Sequence, residues 1–226
     1  MTILNYTPID YTIWNPDGSG SNIKTSLASK EWDIWMRALE YQDKRGDSGH
    51  AECVTYFALK LLDYVTAERA IVIPAAILHD TGWSQMTKEE LGMFHDALTN
   101  PTLENKLRKR HEEQGALFVE KLLNTVYYAA GGDITLIRGI INGHDTREGF
   151  LSAEDGVVRD ADKLFRFTLI HLNIYGSVPN APTSKEDLAA HINKPGFFYS
   201  DAAKQIARIE LEHTFKVHEE MQRRGR

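Results

Sequence analysis

The feature that constrains this chain most is the apolar run Ala70-Ile71-Val72-Ile73-Pro74-Ala75-Ala76-Ile77-Leu78, which ends on the ionisable pair His79-Asp80. The run offers no polar face, so it must lie inside the fold. It is far shorter than the ~20 residues needed to cross a bilayer. We read it as a buried helix with Pro74 in its first turn and Gly82 as its stop. The His-Asp pair then emerges at the edge of a core. Burying an imidazole and a carboxylate there is costly unless something pairs with them, and a divalent metal would satisfy both.

The rest of the chain reads as helix, with no alternating strand pattern and no internal repeat. Trp32, Trp35, Met36 and Leu39 place a helix near 28–43. His50, Val54, Phe57 and Leu61 share one stripe at i, i+4, i+7, i+11, after Ser48 as an N-cap. Thr87 to Glu90 has the capping-box form and starts a short helix. Residues 102–124 form a long charged amphipathic helix with Leu107, His111, Ala116, Phe118 and Leu122 facing inward. Gly131-Gly132 breaks the chain, and Asp133 caps a helix through Ile141. Asp155-Gly156 turns it before a helix from Val157 to Tyr175. Pro179, Pro182 and Pro195 mark a loop-rich stretch around a short helix near 185–192, and a last helix covers 201–223. The expected architecture is all-α: residues 1–27 form an irregular arm packed on a single helical domain of residues 28–226.

Composition narrows the function classes. With 26 Lys+Arg against 32 Asp+Glu, the formal net charge is −6. That argues against a nucleic-acid polymer as partner, which needs a surplus of basic residues. One cysteine makes neither an internal disulfide nor a thiolate zinc cluster, and Cys53 reads as a buried, inert thiol. The first basic residue is Lys24, so Met1 to Asn15 lacks the positive region of a signal peptide. The expectation is a cytoplasmic protein with no membrane association.

Nine histidines remain to be explained. Three occur in His-Asp dipeptides: His79-Asp80, His95-Asp96 and His144-Asp145. His95-Asp96 has polar surroundings and reads as a surface or supporting pair. His50 sits at a helix start on an apolar face, His111 lies mid-helix, and His144 follows the apolar turn Ile140-Ile141. Asp160 and Asp162 lie among residues that should be buried. Imidazole and carboxylate together suit Fe, Mn, Zn, Ni or Co. His95, His171, His191, His213 and His218 read as structural.

The order His50, His79-Asp80, Asp162 resembles the HD superfamily of metal-dependent phosphohydrolases over about residues 28–175. The specific pieces are His79-Asp80-Thr81-Gly82 and Asp160-Ala161-Asp162-Lys163-Leu164. The resemblance implies a compact helical HD-domain bundle and picks Asp162 as ligand, with Asp160 orienting a ligand histidine. His111 with Gly115 is similar to a segment of relatives that hold two metals, and His144 to their next histidine. The implied centre is then His50, His79, Asp80, His111, His144 and Asp162, with Asp80 bridging. The alternative is one metal, with His111 and His144 binding substrate phosphate.

The resemblance further implies metal-activated water cleaving a small phosphorylated substrate or nucleotide. Asp80 and Lys163 would be catalytic, and Lys163, Arg166 and Arg45 would contact the phosphate. Arg110 and Arg147 flank ligand histidines but read better as ion pairs. Trp83, Gln85 and part of 176–200 would line the pocket. Two other readings stay open: a di-iron oxygenase of the myo-inositol oxygenase kind, and a non-catalytic nucleotide-sensing domain. No Gly-Tyr-Pro occurs, which argues against the cyclic-dinucleotide-cleaving branch. Homo-oligomerisation is left open.

Overall fold

The computed structural model describes residues 4–14, 16–93, 100–126, 131–178 and 181–224. The described residues hold ten α-helices and no strand. They are α1 (Ser29–Ala38), α2 (His50–Leu61), α3 (Arg69–Leu78), α4 (Lys88–Gly92), α5 (Pro101–Thr125), α6 (Gly131–Ile141), α7 (Ala153–Phe165), α8 (Leu169–Tyr175), α9 (Lys185–Asn193) and α10 (Asp201–Arg224). The all-α expectation holds. Among the described residues, no helix is long and apolar enough to cross a membrane.

At the centre, α2 packs against α3 and α7, and α3 also touches α1, α6 and α7. Every side chain from Ile71 to Leu78 is buried. Pro74 stands in the interior of α3, not in its first turn. A proline there costs about 3 kcal/mol and has no N–H to donate. Burial of Ile71, Val72, Ile73, Ile77 and Leu78 returns about 1.5–3 kcal/mol each, so tertiary packing overrides the local penalty.

Several local expectations are corrected. The cap of α2 is Gly49 at φ +87°, not Ser48, whose hydroxyl donates to the Asp17 carbonyl. A side chain at 49 would be strained by that φ and would press on Pro16. Gly82 is not the stop of α3: the helix ends at Leu78, and Gly82 lies in a 3-10 turn over Thr81–Gln85. Asp133 lies inside the first turn of α6. Asp155 and Gly156 open α7 behind a Ser152 cap. The helix expected through Tyr175 is two, because the Thr168 hydroxyl caps a fresh start by accepting from His171 N. The capping box at Thr87 and Glu90 and the long helix α5 are as expected.

The arm is irregular and anchored by polar contacts. Ile9 is buried, and its N–H donates to Glu210 of α10 at 3.0 Å. Tyr6 donates to the same carboxylate oxygen, and the Tyr11 hydroxyl lies 3.1 Å from that of Thr214.

Candidate metal centre

Five segments bring their histidines and aspartates to one place. His50 is the first residue of α2, and His79 follows the last turn of α3 with Asp80 beside it. His111 comes from the middle of α5, His144 from the turn after α6, and Asp162 from α7. All four histidines are buried.

Asp80 divides the group in two. Its Oδ2 lies 3.2 Å from His50 Nε2 and 3.6 Å from His79 Nε2. Its Oδ1 lies 3.2 Å from His111 Nε2 and 3.4 Å from His144 Nε2. Asp162 Oδ1 joins the first side, 3.4 Å from His50 Nε2 and 3.8 Å from His79 Nε2. Two donor groups therefore share one carboxylate, His50–His79–Asp80 and Asp80–His111–His144, and each could hold a metal ion. Donors bound to one ion at ~2.1 Å stand no more than about 4.2 Å apart, which every separation above satisfies. The nitrogen-and-oxygen donor set suits a first-row transition metal.

The orientation of the rings is built into the backbone. His79 Nδ1 donates to the Ala76 carbonyl at 2.8 Å, and His144 Nδ1 donates to the Ile141 carbonyl at 2.9 Å. Both bonds fix the proton on Nδ1 and leave Nε2 as the ligating atom. Buried Glu112 accepts from Asp145 N, Thr146 N and the Thr146 hydroxyl, which pins the turn carrying His144. Trp83 stacks on His111 with centroids 4.2 Å apart and donates from its indole N–H to Asp80 Oδ1 at 3.0 Å.

The electrostatics are those of a concentrated acid–imidazole cluster. Burial works against the charged form of His50, but Asp162 and Asp80 outweigh it and hold its pKa at about 10. Burial likewise opposes His144, which Asp80 and Asp145 hold at about 9. Burial wins at His79, pushed down to about 4, and at His111, also lowered. Burial opposes ionised Asp80 as well, yet Arg45 and the imidazoles keep it well below the usual carboxylate range.

Next to this cluster lies a cleft of about 250 Å³. Arg45, Arg108, Arg166, Glu104, Phe165, His171, Tyr175 and Pro182 line it together with His50, Asp80, Asp145 and Asp162 of the cluster. Arg45 reaches Asp80 Oδ2 at 2.6 Å and Asp47 at 2.7 Å.

Of the residues singled out from the sequence, His50, His79, Asp80, His111, His144 and Asp162 come together, and Arg45 and Arg166 line the cleft. Lys163 does not join them: its ammonium donates to the Phe197 carbonyl between the rings of Phe150 and Phe197. Asp160 orients no histidine. Its carboxylate accepts from Tyr199 N, Ser200 N and the Ser200 hydroxyl, at 2.7, 2.9 and 2.8 Å, ahead of α10. Arg147 ties Asp155 to the end of α6, and Arg110 faces Glu90. Trp83 belongs to the site, whereas Gln85 donates to the neighbouring Ser84 hydroxyl at 2.7 Å and does not line the cleft. His95-Asp96 and Pro179 lie outside the described residues.

Two contributors escaped sequence reasoning. Arg108 lines the cleft and pairs with Asp145 at 2.7 Å. Asp145 itself faces the second donor group, and the available signal was the third His-Asp dipeptide. His171, which the sequence places either near the pocket or in the core, lines the cleft, and among the described residues neither of its ring nitrogens has a hydrogen-bond partner.

Compared with models of known protein families, with curated proteins and with solved structures, the chain matches none.

Proposed function

We propose that the protein is a metal-dependent phosphohydrolase of the HD type, acting on a small phosphate ester or nucleotide. The observation that carries this reading is the sharing of Asp80 between two buried donor groups, in a cleft also lined by Arg45, Arg108 and Arg166. His50, His79, Asp80 and Asp162 would hold one ion, and Asp80, His111 and His144 a second. When bound, such ions make water acidic enough to serve as a nucleophile near neutral pH.

The chain's own residues do the rest. Arg166 and Arg45 place positive charge where the phosphate oxygens would lie, the role that phosphoryl transfer demands of a protein. Arg45 also touches Asp80, so it couples phosphate binding to the shared carboxylate. Lys163 is committed to Phe197, which leaves the phosphate contacts to the arginines. Phe165, Tyr175 and Pro182 give the cleft an apolar wall for the organic part of the ester. Ligand pockets run from ~300 to 1,000 Å³, so a cleft of about 250 Å³ suits a small ester.

The test is a panel of phosphate esters and nucleotides offered to the chain loaded separately with Mn, Fe, Zn, Ni and Co. Phosphate release that is abolished by chelation and by Asp80→Asn supports the proposal. A folded, metal-loaded protein that is inert across the panel overturns it, and substrate-dependent oxygen uptake by the iron form would assign the centre to oxygenase chemistry instead.

A further inference from the structure

The second donor group has a neighbour that the resemblance does not assign. Asp145 Oδ2 lies 3.7 Å from His111 Nε2 and 4.0 Å from His144 Nε2. These are the ring atoms that also face Asp80 Oδ1. Asp145 is therefore not placed to orient either ring through Nδ1: His144 Nδ1 is taken by the Ile141 carbonyl, and His111 Nδ1 has no hydrogen-bond partner among the described residues. Both separations fall within the ~4.2 Å span open to two donors on one ion.

We infer that Asp145 is a further protein donor on the His111–His144 side of Asp80. This rests on the metal-centre reading given above. The two sides then match: each has two imidazoles, one oxygen of Asp80 and one oxygen of another aspartate, Asp162 on one side and Asp145 on the other. The placement is held from two directions. Glu112 accepts the Asp145 backbone N–H at 2.7 Å and fixes the turn. Arg108 Nη1 holds the Oδ2 atom at 2.7 Å and is itself paired with Glu104 at 2.8 Å. Arg108 thus competes with an ion for the same oxygen and tempers its charge, a supporting arrangement of the kind that tunes ligand basicity.

The experiment counts ions directly. Stripped wild type, Asp145→Asn and Arg108→Met are titrated with Mn(II), bound metal is measured by equilibrium dialysis, and Mn–Mn coupling is read by electron paramagnetic resonance, with folding checked by circular dichroism. The wild type should bind two ions with a coupled signal. Asp145→Asn should weaken the second ion at least tenfold and lose the coupling at equal metal, while the first ion is unchanged. Arg108→Met, which frees the carboxylate, should bind the second ion no more weakly than wild type. Wild-type affinity for both ions in Asp145→Asn overturns the assignment, as does a wild type that binds fewer than two. If both ions bind as expected but no phosphate ester is turned over, the proposed function fails and the role of Asp145 stands.

Discussion

Gly82 lies directly against the backbone of His111: a Cβ at position 82 would overlap the His111 carbonyl oxygen and stand 2.6 Å from Gly115 N. The turn after Asp80 and the helix carrying His111 can approach this closely because both contact points are glycines. Gly82→Ala must push the two segments apart, so it should destabilise the fold by about 1–3 kcal/mol. It should also weaken metal binding on the His111–His144 side more than on the other. Denaturant melts and metal titration of the variant check both parts, and wild-type values in either would contradict this packing.

Glu210 supplies a pH prediction. Burial raises its carboxyl pKa from 4.5 to about 7. A raised folded pKa means that the folded state binds the proton more tightly than the unfolded chain. The stabilisation is complete below about pH 4.5 and is lost as pH rises through about 7. Relative to Glu210→Gln, the wild type should lose stability across that window, by about 1–3 kcal/mol at 1.36 kcal/mol per pH unit. Urea melts of the pair at pH 4.5, 5.5, 6.5 and 7.5 measure it. Parallel pH profiles would show that Glu210 titrates no higher in the fold than in the unfolded chain.

Arg45 should separate turnover of the ester from metal binding. Its contacts to Asp80 and Asp47 keep its guanidinium at the cleft wall. Loss of a charge-assisted contact to phosphate costs about 1.5–3 kcal/mol, so Arg45→Met should lower kcat/KM at least tenfold on whichever ester proves to be a substrate. Metal content should stay at the wild-type level. Steady-state kinetics with metal analysis of the same samples reads both quantities.

Asp160 should behave as a clamp on α10. Removing its carboxylate frees two backbone N–H groups and one hydroxyl at Tyr199 and Ser200. Asp160→Ala should cost about 1–2 kcal/mol, in the range of lost helix caps. Thermal melts of Asp160→Ala against the wild type measure it, and an unchanged melting temperature would contradict the clamp.

The helical class was legible because apolar spacing decides it, and the residues of the candidate metal centre were legible because buried His and Asp need a reason. His50, His79 and Asp80 stood out for that cause alone. Two residues apart on a helix, Asp160 and Asp162 cannot face one site equally; resemblance chose Asp162, and the structure turns Asp162 toward the histidines and Asp160 toward α10. Lys163 was misplaced because sequence adjacency to a ligand does not fix a side chain's direction. Its partner, the Phe197 carbonyl, lies on a distant segment that no periodicity reports. The same holds for Arg108 and Asp145, whose pairing joins two elements. The glycines at 82 and 115 were visible, but their purpose is a contact between backbones.

The anchoring of the arm has a consequence for the order of synthesis. Tyr6 and Glu210 are 204 positions apart, so the arm leaves the ribosome long before its acceptor exists. Translation proceeds at about 5–20 residues per second. For some ten seconds or more, the bonds of Tyr6 and Ile9 to Glu210 and of Tyr11 to Thr214 must wait, although every helix of the candidate site is already made. The polar anchor of the chain's beginning is completed only once α10 has been made.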